Sequence, residues 1–364
     1  MSFGRFVKRA AIRKGFCAGL TNRLRVFLWL GFALTAPGLC AQEGQQQIAN
    51  LGKCNLESSQ AIEDCVVGYR TYGQLNAARD NAILAPTWLY GKSGELASIF
   101  GASSPHLIDT TRFFGIAIDA FGNGVSSSPS NSIAQRGTAF PLFTLRDGVN
   151  AQYRVMTEVL HLKHLHAVIG LSMGGEQTFV WSVMYPEFFD LAVPILGTPR
   201  LTSYDLHVKQ IMLDSILDDP DYAHGSYSVE PVLKLANLIG ELVLTTPEYR
   251  NRETPRNKLP GFLAQVEAQK PIDANDRVWQ LKAIMQQDVI GDRTLAEAAR
   301  STRAHFLVVV SKEDRLVNPQ PALDWAEAIG AATYVSQGAC AHLIMTCDGE
   351  AVSARVRAFL AAGK

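Results

Sequence analysis

The 364-residue sequence has no apolar run that reaches the roughly 20 residues a helix needs to cross a bilayer. It also has no Cys-x-x-Cys pair and no Cys/His cluster with zinc-ligand spacing, so a structural metal is not expected. Internal repeats and long low-complexity tracts are missing, which excludes a solenoid. The composition, 47% apolar with a mean hydropathy of +0.04, is that of an ordinary globular protein.

The first 25 residues contain no Asp or Glu but carry seven basic residues, and the short apolar run "VFLWLGFALTA" follows them. This order predicts a secretory signal over residues 1–41, cleaved after Cys40 or Ala41. An uncleaved anchoring helix and a lipid anchor on Cys40 are the alternatives. In each case the rest of the chain is expected outside the cytoplasm, either periplasmic or secreted.

The net charge argues against nucleic-acid binding, and no stable membrane insertion is expected once the predicted signal is cleaved. Without the predicted signal, 27 Lys and Arg stand against 34 Asp and Glu, a net charge of −7. This acidic balance and the lack of a basic stripe argue against a nucleic-acid partner.

Four cysteines remain after the predicted signal, and they form two close pairs. Cys54 lies near Cys65, and Cys340 lies near Cys347. Four thiols allow three connectivities, but proximity favours the two local disulfides, which an oxidising compartment allows to form. Four unrelated thiols, some of them buried, are the alternative.

Short β-rich runs alternate with helical patterns through most of the chain. This alternation predicts a mostly parallel, twisted sheet with helices on both faces, and the apolar runs "AVIG" and "FLVVV" suit strands that are covered on both sides. Residues 199–301 differ, because they show helical periodicity without a comparable strand run. We therefore predict one α/β core, made of residues 42–198 and 302–364, interrupted by a helical cap over residues 199–301.

The segment from Gly170 to Gly174 reads Gly-Leu-Ser-Met-Gly and matches the pattern G-x-S-x-G. An apolar strand precedes it and a helix-forming run follows. A sharp strand-to-helix turn leaves no room for a Cβ beside the serine, so the glycines fit a turn that exposes the Ser172 hydroxyl. The pattern alone is weak, but its context favours a nucleophilic serine over a solvated glycine-rich turn.

A nucleophilic serine needs a base, and the base needs a group that holds its tautomer. Where such a serine lies at a sharp turn between a strand and a helix, the chain order is serine, acid, histidine. His342 is predicted as the base because it follows the last strand, and Asp314 as the acid because it follows the "FLVVV" strand by a short loop. Glu313 is the rival for the acid. An oxyanion also needs donors, and the backbone N–H groups of Met173 and Leu89 are the candidates.

Six blocks of this sequence, in the same order, resemble the homoserine O-acetyltransferase-like branch of the α/β-hydrolase superfamily. This resemblance implies the α/β-hydrolase fold, with Ser172 as nucleophile, Asp314 as acid and His342 as base, and with Leu89 and Met173 lining the oxyanion hole. The blocks are "YRTYGQLNAARDNAILAPTW", "IDTTRFFGIAIDAFGNGVSSSPS", "FPLFTLRDGVNAQ", "AVIGLSMGGEQTFVWSVMYP", "DSILDDPDYAHGSY" and "PIDANDRVWQLKAI".

Two departures from the acetyltransferases concern the substrate. Leu213 stands where those enzymes place an arginine for the homoserine carboxylate, and Leu343 replaces their aspartate after the catalytic histidine. An amino acid would leave both charges poorly paired here, at a cost of several kcal/mol. Acetyl-CoA is a cytoplasmic metabolite, so an exported enzyme would rarely meet it as an acyl donor.

We therefore expect an exported serine esterase that acts on a small acyl ester without a cofactor. The alternatives are an O-acyltransferase that uses acyl-CoA, and a non-catalytic binding protein on the same fold. The sequence does not decide whether the protein forms a homodimer.

Overall fold

The computed structural model describes residues 43–269 and 272–363. The predicted signal, residues 1–41 with Cys40, lies outside the described residues. Among the described residues, no helix is both long and apolar enough to span a membrane.

Eight strands form a single sheet in the order β1-β2-β4-β3-β5-β6-β7-β8. The pairs β1–β2 and β2–β4 are antiparallel, and all pairs from β4 through β3 to β8 are parallel. The predicted mostly parallel sheet is confirmed. The strands are β1 Gln47–Asn55, β2 Ala61–Tyr72, β3 Ala82–Pro86, β4 Phe114–Ile118, β5 Leu165–Leu171, β6 Phe189–Ile195, β7 His305–Ser311 and β8 Ala332–Ser336.

Helices cover both faces of the sheet, and each face packs into its own hydrophobic cluster. Successive residues of a strand point to opposite faces; in β5, for example, Val168 belongs to one cluster and Ile169 to the other. The helices are α1 Leu145–Arg154, α2 Met173–Met184, α3 Ser203–Leu217, α4 Lys234–Leu244, α5 Pro247–Glu253, α6 Leu259–Glu267, α7 Ala274–Met285, α8 Leu295–Arg300, α9 Gln320–Ile329, α10 Ile344–Cys347 and α11 Gly349–Ala362.

Residues 199–301, called the helical segment below, connect β6 to β7. Their described part contains α3 to α8 and an isolated β-bridge between Arg200 and Asp288. The helical periodicity in this region therefore corresponds to helices. The role of the segment as a cap over the site stays a prediction.

The carboxyl ends of the parallel strands bring together residues that are far apart in the chain. Leu89 follows β3, Ser172 follows β5, Asp314 follows β7 and His342 follows β8. In an open α/β sheet, ligands bind at this edge. The fold therefore places all of the predicted site residues on one side of the molecule.

Candidate active site

Ser172 lies in a sharp turn between β5 and α2. Its backbone has φ of 56° and ψ of −123°, and its N–H donates to the Ile195 carbonyl at 2.8 Å. A Cβ at Gly170 would overlap the carbonyl of Gly174, and one at Gly174 would lie 2.5 Å from the Pro86 oxygen. The glycines are therefore required by close backbone approach. Positive φ is strained for a residue other than glycine, and the surrounding hydrogen bonds keep Ser172 in this conformation.

The side chains of Ser172, His342 and Asp314 form one hydrogen-bonded row. The Ser172 Oγ to His342 Nε2 distance is 2.8 Å, and the His342 Nδ1 to Asp314 Oδ2 distance is 2.7 Å. The side chains of His342 and Asp314 are only 6% and 1% exposed. Because an ionised carboxylate accepts the Nδ1–H, Nε2 is left to accept the serine proton.

The second carboxylate oxygen of Asp314 accepts hydrogen bonds from the turn that follows this residue. Its Oδ1 accepts the N–H groups of Leu316 at 2.9 Å and Val317 at 3.1 Å. Glu313, the rival in the sequence, has an exposed side chain. The structure thus places Asp314 against His342.

Two backbone N–H groups at the same edge have no hydrogen-bond acceptor within the described part of the chain. They belong to Met173, the first residue of α2, and Leu89. The N-terminus of α2 also packs closely on the end of β3, because a Cβ at Gly174 would approach both Pro86 and Thr87. These are the two N–H groups that the sequence suggested as oxyanion donors.

Two glutamines that no sequence motif singles out hold the loop that carries Leu89. Gln177 on α2 donates from Nε2 to the Thr87 carbonyl at 3.0 Å. Gln280 on α7 accepts from the Tyr90 N–H at 2.7 Å. Both side chains are 1% exposed. Gln280 belongs to the helical segment, and nothing in local spacing could have predicted its contact with a loop 190 residues away.

A pocket beside the site has mainly apolar walls, with the two glutamines as its main polar side chains. Leu213, buried on α3, and Leu343, which follows His342 directly, are not among the residues that line this pocket. The pocket is lined by Ala120, Phe121, Phe143, Thr144, Leu145, Gly148, Met173, Gln177, Gln280 and Ala283.

Both predicted cysteine pairs lie at disulfide distance. The Cα–Cα distance is 5.6 Å for Cys54–Cys65 and 6.0 Å for Cys340–Cys347. Cys54–Cys65 joins β1 to β2, whereas Cys340–Cys347 encloses His342 in a short loop. The second bridge therefore constrains the segment that carries the histidine.

Loss of the Cys340–Cys347 bridge is expected to lower activity in a protein that stays folded. A Cys340→Ser/Cys347→Ser variant should lose kcat roughly tenfold or more, because small displacements of a reacting group are costly. Its free energy of unfolding should fall by only about 2–3 kcal/mol, as for any short disulfide loop. Ester turnover and thermal melting measure the two effects.

The control is Cys54→Ser/Cys65→Ser, which removes another local bridge at the opposite edge of the sheet. It should lower the melting temperature and leave kcat near the wild-type value. If kcat falls equally in the two double variants, the bridge has no special relation to His342.

A known family model supports the same architecture. The model of the α/β hydrolase fold matches residues 100–346. The chain therefore belongs to the α/β-hydrolase fold family.

Particular relatives are esterases and homoserine O-acyltransferases. The chain is 33% identical over 228 residues to an ethyl acetate hydrolase of Pseudomonas veronii, covering 60% of this chain and 63% of that protein. It is 30% identical over 302 residues to a homoserine O-acetyltransferase of Methanohalobium evestigatum, covering 72% of this chain and 61% of that protein. The chain thus spans less than two thirds of the length of these two curated relatives.

Among solved structures, an acetylester hydrolase from Corynebacterium glutamicum superposes with a TM-score of 0.80 at 26% sequence identity. The match covers 88% of this chain and 96% of that one. The similarity to homoserine O-acyltransferases that the sequence blocks suggested is confirmed, and the relatives on this fold are enzymes.

Proposed function

We propose that this chain is an exported serine hydrolase that cleaves small carboxylic esters through an acyl-enzyme on Ser172. The observation that carries the proposal is the hydrogen-bonded row from Asp314 through His342 to Ser172. The N–H groups of Leu89 and Met173 at the same edge, which have no acceptor among the described residues, add to it.

In the first half-reaction, Ser172 Oγ attacks the ester carbonyl carbon while His342 Nε2 takes the hydroxyl proton. The carbonyl oxygen becomes an oxyanion, which the N–H groups of Leu89 and Met173 stabilise. When the tetrahedral intermediate collapses, the bond from carbon to the leaving oxygen breaks. The proton on His342 passes to that oxygen, and the alcohol leaves an acylated serine.

In the second half-reaction, water replaces the alcohol. His342 Nε2 removes one proton from the water as its oxygen attacks the acyl carbon, and the same two N–H groups stabilise the second oxyanion. Collapse breaks the bond to Ser172 Oγ, which recovers its proton from His342. A carboxylic acid is released, and Asp314 stays ionised throughout.

Short acyl esters are the proposed substrate class. Two similar proteins are described as an ethyl acetate hydrolase and an acetylester hydrolase, which supports an acetyl group on the acid side. Leu213 and Leu343 offer no charge for an amino acid substrate. A small neutral alcohol as leaving group fits these side chains better than homoserine does.

Export forms part of the proposal and rests on two observations. The first 25 residues include seven basic residues and no Asp or Glu, and a short apolar run follows them. Two cysteine pairs also lie at disulfide distance, and such bridges persist in oxidising compartments.

The second candidate function is acyl transfer to a hydroxy amino acid. The 30% identity to a homoserine O-acetyltransferase favours it, and both functions share the same first half-reaction. They differ only in the nucleophile that resolves the acylated serine.

Two incubations separate the candidates. With ethyl acetate, we expect acetate release whose rate does not change when homoserine is added. With acetyl-CoA and homoserine, we expect no O-acetylhomoserine above a no-protein control. Formation of O-acetylhomoserine faster than acetate would establish the transferase, and no turnover of any ester in a short-chain panel would contradict the hydrolase.

A further inference from the structure

A lysine side chain is buried behind the acid of the proposed triad. Lys209 lies on α3 of the helical segment and is 1% exposed. Its ammonium donates from Nζ to the Leu316 carbonyl oxygen at 2.8 Å. Burying a charged ammonium costs free energy that an aliphatic side chain of similar volume would not, so the contact with Leu316 calls for an explanation.

Leu316 links this lysine to the catalytic acid of the proposed mechanism. The N–H of Leu316 donates to Asp314 Oδ1, and the carbonyl of the same residue accepts from Lys209. Asp205, one helical turn before Lys209 on α3, binds the same loop. Its Oδ1 accepts the Asn318 N–H at 2.8 Å. Asp205 is fully buried. Two charged groups of one helix thus hold residues 316 and 318.

Three carboxyl groups on three elements interact electrostatically with the ammonium: Glu176 on α2, Asp205 on α3 and Asp314 after β7. Burial lowers the pKa of Lys209, and these three groups oppose that shift. Glu176 is fully buried, and neither of its carboxyl oxygens has a hydrogen-bond partner in the described part of the chain. Burial raises the pKa of Glu176 to about 8 against the effect of Lys209.

Glu176 also connects this cluster to the nucleophile. It lies one helical turn after Ser172, and its backbone N–H donates to the Ser172 carbonyl at 3.0 Å. Lys209 therefore sits where the serine helix, the turn of Asp314 and the helical segment meet.

We propose that Lys209 is a positioning residue for the hydrolysis described above: it fixes the turn of residues 314–317 so that the Asp314 carboxylate stays in line with His342. This inference rests on the proposed function. Lys209 touches neither the substrate nor the reacting atoms. Asp314 interacts electrostatically with Lys209 and favours the charged form of the lysine.

The test compares Lys209→Met, Glu176→Gln/Lys209→Met and Arg154→Met with the wild type. Arg154→Met is the control, because Arg154 also donates to backbone carbonyls. Its acceptors are Leu51 and Lys53 of β1, at the opposite edge of the sheet. Steady-state kinetics on a short ester, pH profiles of kcat and thermal melting are measured for each protein.

For Lys209→Met we expect kcat to fall roughly 10- to 100-fold, the effect of losing one hydrogen bond to a charged group. KM should change less than about threefold, since the substrate contacts are intact. The acid limb of the kcat profile should move to higher pH, because a nearby positive charge has been removed. Arg154→Met should change stability alone.

The double variant separates positioning from stability. Glu176→Gln/Lys209→Met removes both ionisable side chains from the protein interior, so at alkaline pH, where Glu176 ionises, it should regain melting temperature relative to Lys209→Met while kcat stays low. If Lys209→Met does not fold, the double variant serves as the test. A double variant with kcat within twofold of wild type, or a kcat that recovers together with the melting temperature, would overturn the positioning role.

Wild-type turnover distinguishes failure of the proposed function from failure of the positioning role. Absence of ester turnover by the wild type would refute the proposed function. An active wild type whose kcat and pH profile are matched by both Lys209 variants would refute only the role of Lys209.

Discussion

Replacement of His342 by alanine is expected to lower kcat for ester hydrolysis by about 10⁵- to 10⁶-fold, the scale seen when the base of a serine triad is removed. The physical reason is that Nε2 lies 2.8 Å from Ser172 Oγ and is the group placed to accept the hydroxyl proton. Alanine leaves the serine as an ordinary alcohol. Steady-state kinetics with an acetyl ester measure the effect, and circular dichroism checks that the variant is folded.

The matched control is His207→Ala. His207 is exposed on α3, so its loss removes an imidazole without touching the hydrogen-bonded row. We expect kcat close to wild type. If His342→Ala kept more than about one hundredth of wild-type kcat, a different base would have to activate the serine.

The second large effect is expected for Asp314→Asn, which should lower kcat about 10⁴-fold with little change in KM. Asparagine preserves the volume but can turn its N–H₂ toward Nδ1. The imidazole then holds its proton on Nε2, the tautomer that cannot accept from Ser172. The loss of the negative charge also leaves the imidazolium unpaired within a buried site, since both side chains are almost fully enclosed.

Glu313→Gln is the control for this prediction, because it makes the same chemical change one residue earlier on an exposed side chain. It should retain wild-type kcat. The opposite ranking, with Glu313→Gln inactive and Asp314→Asn active, would assign the acid to Glu313 and contradict the hydrogen bond between Asp314 and His342.

Much of the sheet could be predicted from the sequence, because buried parallel strands consist of short apolar runs between turn signals. β3, β5, β6 and β7 are of this kind, with nearly every residue buried. β1 has no such apolar run, since it is an edge strand with exposed polar residues and register shifts around Gly52. Such a strand forms through pairing with β2, and its own sequence carries little of that information.

Helix boundaries were less predictable where packing overrides periodicity. Apolar residues recur at helical spacing over residues 144–162, but α1 ends at Arg154 and a π-helical turn follows over Val155–Val159. The apolar positions continue through both parts, so the pattern cannot distinguish between i→i+4 and i→i+5 hydrogen bonding.

The reacting residues of the candidate site were accessible from the sequence, but the residues that hold them were not. Ser172 has a local motif, and Asp314 and His342 follow from chain order and strand ends. Gln280 and Lys209 lack such a signal. Their contacts join the helical segment to loops more than 100 residues away in the chain, and a glutamine or lysine at helical spacing usually belongs to a solvated face.

The proposed function depends most on one event, the formation of a covalent bond between Ser172 and the acyl carbon of the substrate. Its most direct test is labelling with a fluorophosphonate probe, followed by mass mapping of the modified peptide, in wild type and in Ser172→Ala. We predict stoichiometric labelling of Ser172 in the wild type and none in the variant. Equal labelling of both proteins, or a label mapped to a different residue, would contradict the covalent role of Ser172.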